Sequence, residues 1–232
     1  MALVDDLKSE VATIFYNAWE QTSGRVVPVP SSVGLGNKAI EFESATVLYA
    51  DLDGSTAMVD QRTWTFCAEI YKTYLHCAAK IIKAQGGVIT AYDGDRVMAV
   101  FIGDRKCSRA AEAGLQLNYT VRHILNPAIK VQYPQTDFVL RHVVGVDVSP
   151  IRAARTGVRG DNDLVWIGRA ANYAAKLTSL PSDAFQVWVT ADVFNVLAPD
   201  VKNHNQQAVW EARRWETMND MLIYGSNWGF VL

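Results

Sequence analysis

The sequence predicts an α/β protein of the α+β kind, a ferredoxin-like split βαβ sheet with an N-terminal helical extension. Three observations carry that reading. The apolar run in "ATVLYADLDGST" stops at Asp51 and Asp53, and Gly54, Ser55 and Thr56 follow, so a strand ends and a helix opens there. "VITAYDGDRVMAVFIG" places two apolar runs on either side of Asp93-Gly94, the short-turn signal of a β-hairpin. The inferred order is strand, helix, strand, strand, helix, strand, then helix and strand, which is a split βαβ unit with additions.

In chain order, residues 3 to 21 place Leu7, Val11, Ile14, Phe15 and Ala18 on one helical face, to pack on the main domain or on a second chain. The Pro-, Gly- and Ser-rich stretch that follows reads as a connector. A strand is expected from about residue 44 to 51, then one long helix from Thr56 to Gln85, stopped by Gly86-Gly87. After the hairpin, a second helix covers about 105 to 126, and Pro127 and Pro134 bound the next segment. "DFVLRHVVGVDV" reads as a strand and "RTGVRGDND" as a loop; "GRAANYAAKLTSL" reads as a small-residue helix and "AFQVWVT" as a strand. The tail supplies a last strand and packing aromatics. The implied division is residues 1–43 as helix and connector, 44–190 as the main domain, and 191–232 as elements packing on it.

The bulk numbers exclude several classes. With 50% hydrophobic and 20% charged residues and a net charge of −2, the 232-residue chain has no bulk positive field for nucleic acid or an anionic membrane. No apolar run approaches the roughly 20 residues of a membrane span, and "MALVDDLKSE" lacks a signal-peptide layout. Three cysteines, Cys67, Cys77 and Cys107, show no metal-ligand spacing. These features predict a reduced, cytoplasmic protein.

Two acidic positions stand out: Asp51 at the end of the first strand, and Asp95 in the hairpin "YDGDRV". In a βαββ unit that strand and the hairpin lie side by side, so the two carboxylates meet. Such oxygen-rich sites suit Mg²⁺ or Mn²⁺ together with substrate phosphates. The amides of Asp53 to Thr56 open a helix, whose N-terminal dipole favours phosphate.

These residues resemble the class III nucleotidyl cyclases, the adenylyl and guanylyl cyclase superfamily, over about residues 44 to 190. "LYADLDGST" is similar to that family's strand-end signature, "YDGDRVMAVF" to its hairpin signature, and "GRAANYAAKL" to its third. The resemblance implies a class III cyclase catalytic domain in which Asp51, Asp95 and the Leu52 carbonyl hold two divalent cations, Mn²⁺ or Mg²⁺. It implies that Asn172 orients the ribose and that Lys176 stands where the family has a transition-state arginine, keeping the charge but losing the bidentate fork. It also implies a homodimer with shared sites, the aspartates from one chain and Asn172 and Lys176 from the other.

Where adenine-selective members carry base-reading polar residues, this chain has Ala91 and Val165, neither able to hydrogen-bond a base edge, with Tyr49, Tyr92 and Trp166 nearby. A smaller pyrimidine pocket fits better. "GRVVPVPSSVGLGNKAIEF", "GGVITAYDGDRVMAVFIGD" and "DLVWIGRAANYAAKL" resemble the Pycsar pyrimidine cyclases of bacterial antiphage defence. That likeness implies UTP, with CTP next, converted to a cyclic nucleotide that activates a separate effector. Tyr49 and Arg96 are candidate substrate contacts, although strand alternation turns Arg96 away from Asp95. The arginine-rich stretch 141 to 163 is expected to form a mobile loop over the triphosphate. Competing readings are a cytidylate cyclase, a purine cyclase with an unusual pocket, and a catalytically inactive cyclase-like regulatory module. The G-G-[DE]-E-F signature of diguanylate cyclases is missing.

Overall fold

In the computed structural model, which describes residues 2–232, the chain begins with α1 (Leu3–Tyr16), β1 (Glu20–Ser23), β2 (Lys38–Asp53), α2 (Ser55–Gln61) and α3 (Trp64–Ala84). The hairpin β3 (Val88–Asp93) and β4 (Arg96–Phe101) leads to α4 (Lys106–Thr120) and α5 (Asn126–Gln132). Next come β5 (Arg141–Val158), β6 (Asp161–Ile167), α6 (Arg169–Leu177), β7 (Val187–Thr190) and α7 (Ala191–Asn195). The chain closes with α8 (Pro199–Lys202), the small pair β8 (Asn203–His204) and β9 (Gln207–Ala208), and the hairpin β10 (Glu211–Trp215) and β11 (Met221–Ser226).

Nine strands share one sheet in the order β10-β11-β7-β5-β2-β4-β3, with β1 beside β2 and β6 beside β5. The antiparallel run β5-β2-β4-β3 is the split βαβ core that the element order predicts. Strand alternation gives β2 two lives. Leu48, Ala50 and Leu52 enter the main core beneath α3 and α4, with Tyr74, Ile82, Leu115 and Val144. Ala45, Val47 and Tyr49 enter a second core on the opposite face, with Met98, Trp166 and the alanines of α6.

Several expectations are corrected. The first helix ends at Tyr16, where the Asn37 side chain donates to the carbonyls of Ile14 (2.8 Å) and Asn17 (2.7 Å). Its apolar residues Leu7, Val11, Ile14 and Phe15 are exposed, so it does not pack on the main domain. The connector contributes β1, parallel to β2, and β2 starts at Lys38, with a bulge between Phe42 and Ala45. The long helix is two: Arg62 is extended, and Thr63 caps α3 by accepting from the Phe66 N–H at 3.4 Å.

In the hairpin, Asp93 still pairs with Arg96, so the turn is Gly94-Asp95, with Gly94 at φ 59°. The second helix does not stop at Pro127. A π-helical turn over Val121–Leu125 joins α4 to α5 in one helical path, and the altered bonding of that turn accommodates Pro127 just after it. The "RTGVRGDND" loop is a β-ribbon, because Thr156 pairs with Asp163 and Val158 with Asp161. Two arginines of this region are held in place: Arg152 bonds Glu41 on β2 and Gln21 on β1, and Arg155 bonds Asn162 across the ribbon and the Val33 carbonyl. They are not free to cover a triphosphate. The tail forms a hairpin rather than one strand.

His142 on β5 is wholly buried beside Tyr74, with ring centroids 5.9 Å apart. Its Nε2 lies 3.3 Å from Asn118 Oδ1, and Asn118 Nδ2 donates to the carbonyls of Asn227 and Trp228, so the pair ties the C-terminal tail to the core. Burial, with Arg122 nearby, pushes the His142 pKa down to about 3. The folded state therefore resists protonation while the unfolded chain takes up the proton below about pH 6.5. Stability is complete above that pH and declines as pH falls toward 3. Between pH 7 and pH 4.5 the loss from this one group is roughly 2–3 kcal/mol. Urea unfolding of the wild type and of His142→Gln at both pH values measures it: the variant should lose less between them. Equal losses would place the acid sensitivity in the carboxylates instead.

Candidate active site

By alternation along β2, Asp51 shares the face of Val47 and Tyr49, while the Leu52 side chain points into the main core. β4 pairs with β2 up to Ala50 and Val97, which carries the Gly94-Asp95 turn to the end of β2. The two carboxylates feel each other. Burial pushes the Asp51 pKa up to about 6; Arg96 opposes this, the Asp95 charge reinforces it, and the Leu52 N–H and Thr178 hydroxyl favour the charged form.

Arg96 joins the cluster, which the alternation argument did not foresee. Asp95 is a turn residue, so alternation across it does not apply. Arg96 Nε lies 3.9 Å from Asp51 Oδ2, Nη2 lies 3.6 Å from Asp93 Oδ2, and the guanidinium sits 5.7 Å from the Tyr49 ring centroid. Below the cluster, Tyr74 is fully buried and its hydroxyl donates to the Asp51 carbonyl at 3.4 Å. Burial, then the nearby Asp95 charge, raises the Tyr71 phenol pKa, and a hydrogen bond with Ser55 opposes them. Neither tyrosine stood out in the sequence. The available signal is their helical spacing from buried Cys67, at i+4 and i+7 on the inner face of α3.

One oxygen of Asp95, Oδ2, is buried with no hydrogen-bond partner. An orphaned carboxylate oxygen beside a second, partly desolvated carboxylate is a donor set short of a cation. Asp51 and Asp95 fit a divalent ion whose remaining positions are filled by backbone carbonyl, phosphate and water oxygens. Among the described residues there is no group of three or more His, Cys, Asp or Glu side chains that could hold a metal unaided.

The other candidates divide. Ala91 packs beside Tyr49 and Met98, and Tyr92 is exposed on the neighbouring position. Gly54 is left-handed at φ 75° and opens α2; Ser55 bonds toward Tyr71, and Thr56 is exposed. Asp53 is held elsewhere: the Ser182 hydroxyl donates to its Oδ2, tying the end of β2 to the loop after α6. Trp166 is a core residue, its ring 6.2 Å from that of Phe42, and Val165, which is 40% exposed, points off the opposite side of β6. Trp166 thus packs in the same cluster as Tyr49 and Ala91, while Val165 faces away from it.

Asn172 and Lys176 lie on α6, which lies against the sheet through Ala170, Ala171, Ala174 and Leu177. The approach is close: a Cβ on Gly145 would stand 2.2 Å from the Ala174 carbonyl oxygen, so only glycine fits there. Asn172 and Lys176, four residues apart, occupy the outer, exposed face, directed away from the sheet that carries Asp51. The Lys176 ammonium rests 3.8 Å from Met218 Sδ.

No family model matches the chain. It is 52% identical to a uridylate cyclase of Xanthomonas perforans over 98% of both chains, and 53% identical to one of Burkholderia cepacia over 100% of both. A uridylate cyclase of Rhodovulum sp. (strain MB263) is 34% identical over 98% of this chain and 97% of that one. Among solved structures, the adenylyl cyclase CyaB from P. aeruginosa matches with TM-score 0.64 at 19% identity, covering 81% of this chain and 95% of that chain. The guanylyl cyclase Cya2 matches with TM-score 0.67 at 15% identity, covering 82% and 94%.

The repulsion between Asp51 and Asp95 makes a thermodynamic prediction. In metal-free buffer Asp95→Asn should melt at or above the wild-type temperature, a gain of up to about 1 kcal/mol from relieved like-charge repulsion. Added Mn²⁺ should raise the wild-type melting temperature through linkage but leave the variant unmoved. Thermal scans with and without Mn²⁺ decide it, and a wild type indifferent to Mn²⁺ would remove the cation from this site.

Proposed function

Because the chain belongs to the uridylate cyclases, on the fold of the class III nucleotidyl cyclases, we propose that it converts UTP to 3′,5′-cyclic UMP and pyrophosphate. The observation that carries this reading is the Asp51–Asp95 pair, two converging carboxylates with an orphaned oxygen at the edge of an open sheet face. Mn²⁺ or Mg²⁺ ions held by Asp51, Asp95 and the Leu52 carbonyl would supply charge neutralisation for the triphosphate and acidify the 3′-hydroxyl. The 3′-oxygen attacks the α-phosphorus of the same nucleotide, the bond to the β-phosphate oxygen breaks, and the hydroxyl proton leaves to solvent.

The chain's own groups position the rest. Gly54, Ser55 and Thr56 lie beside the carboxylates on the triphosphate side. Asn172 orients the ribose, and Lys176 places a positive charge near the departing pyrophosphate. Ala91 offers no hydrogen-bonding group to a purine edge, and Arg96, half-buried beside the Tyr49 ring, offers N–H groups to a base carbonyl. Uracil presents a carbonyl at C4 where cytosine presents an amino group, so an arginine facing that edge favours UTP over CTP.

The outward direction of Asn172 and Lys176 supports two chains related by a two-fold axis, each completing the other's site. No helix among the described residues is long and apolar enough to cross a membrane, which is compatible with action in the cytoplasm. The resemblance to antiphage pyrimidine cyclases supports a role for the product as a second messenger that activates a separate effector.

Incubation with ATP, GTP, CTP and UTP plus Mn²⁺, followed by mass spectrometry, should give cyclic UMP as the main product and none from Asp51→Ala. Cyclic AMP or cyclic GMP as the main product would keep the chemistry and reject the pocket reading. Asp51→Ala and Asn172→Ala should each be inactive, yet recover about a quarter of wild-type activity when mixed, since half the dimers are then mixed and each keeps one intact site of two. No recovery on mixing would place all four groups in one chain.

A further inference from the structure

The nine-residue helix α6 meets the sheet through Ala170, Ala171, Ala174 and Leu177, three of them small, so its apolar packing is concentrated at its close approach to Gly145 and at Leu177 near its C-terminal end. At the other end, the first turn of α6 is anchored by polar groups. Arg169 Nε and Nη2 bond Asp147 Oδ2 and Oδ1 at 3.1 and 3.2 Å, a two-pronged pair with a carboxylate that is fully buried on β5. The same Nη2 donates to the Val148 carbonyl at 2.7 Å and to Asp192 Oδ2 on α7 at 2.5 Å. Thr190 at the end of β7 donates to Asp147 Oδ1 at 2.5 Å, and the Ala170 N–H donates to Ser149 Oγ at 2.9 Å. Asp147 thus gathers β5, β7, α6 and α7 around one buried charge.

Arg169, Asn172 and Lys176 stand at i, i+3 and i+7, one stripe along α6. A rotation of the helix that loosened Arg169 would swing both downstream side chains with it. We propose that Arg169 and Asp147 are positioning residues that set the rotation of α6, and through it the aim of Asn172 and Lys176 at the substrate. The inference rests on the cyclase reading for its kinetic consequence alone, since the pinning is a property of the fold. Neither residue touches substrate: Arg169 is spent on Asp147, Val148 and Asp192.

The test uses the full chain and two variants. Arg169→Met/Asp147→Leu removes both charges and replaces them with apolar groups of similar size, an exchange that commonly preserves folding, whereas either half alone leaves a buried charge unpaired. Arg169→Lys keeps the charge and loses the fork. If the pair aims α6, kcat for cyclic UMP falls at least tenfold in the double variant while the KM for UTP stays within about threefold. Arg169→Lys should fall between it and the wild type. Amide hydrogen exchange over residues 169–177 should quicken in the double variant and stay unchanged in α3 and α4.

A double variant that melts like the wild type with unchanged kcat and unchanged exchange in α6 overturns the proposal. So does kcat falling only in proportion to the folded fraction. Should the double variant not fold, Arg169→Lys decides alone, with wild-type kcat as the overturning result. If the wild type makes no cyclic nucleotide at all, the cyclase reading fails, and the exchange measurement still decides whether Arg169 and Asp147 pin the helix.

Discussion

Two carboxylates that would rather be apart, Asp51 and Asp95, set the terms for the rest of this molecule. Burial and mutual repulsion hold Asp51 near a pKa of 6, and Asp95 keeps one oxygen without a partner. A fold tolerates such a pair only when its surroundings leave no cheaper arrangement. Here β2 cannot rotate, because its alternate residues are committed to a core on each face, and the hairpin cannot slide, because Asp93 and Arg96 close a two-residue turn. Tyr74 fixes the Asp51 carbonyl from below. The two charges are thereby held together at the end of β2, a strand in the interior of the sheet.

The partition between the two faces of the sheet explains why the remaining chemistry sits elsewhere. One face is filled by α3 and α4 and offers only burial. The other carries α6 on a bed of glycine and alanine, and what it presents outward is Asn172 and Lys176. A single chain thus aims the Asp51–Asp95 pair and the Asn172–Lys176 pair in different directions. Lysine at 176 suits that arrangement. Its compact ammonium on a flexible stem rests on the soft sulfur of Met218, a weak contact that leaves it free to move.

The parts that were legible in the sequence are those where local chemistry and tertiary structure agree. Asp51 and Asp95 could be found because carboxylates at a strand end and in a tight turn are rare in a pattern otherwise governed by burial. The alanine-rich helix with Asn172 and Lys176 could be found because its small face and polar face separate cleanly. The misreadings have a common origin in backbone pairing. Residues 39 to 42, read as connector, extend β2 because their partners on β5 lie far away in sequence, and residues 155 to 163, read as a loop, pair with each other across the turn between β5 and β6. Thr63 and the π-turn at Val121–Leu125 broke or extended helices by one side-chain bond or one backbone shift, which periodicity does not register. Trp166 looked like a pocket wall beside Val165, but alternation on β6 sends one inward and the other out.

Arg169 was invisible for a different reason. In the sequence it is one more charge opening a helix, and an arginine at a helix N-terminus is mildly unfavourable on dipole grounds. Only the buried Asp147 across the sheet turns it into an asset, by making the helix end the one place where α6 meets a charge it cannot leave. The same logic joins the two ends of the site. At Asp51 and Asp95 the fold holds like charges together and leaves one carboxylate oxygen without a partner. At Asp147 it holds a carboxylate against a fork of donors and so prepares a fixed helix. Catalysis by positioning needs both: a charge left unsatisfied where substrate arrives, and charges fully satisfied where the side chains that meet it are anchored.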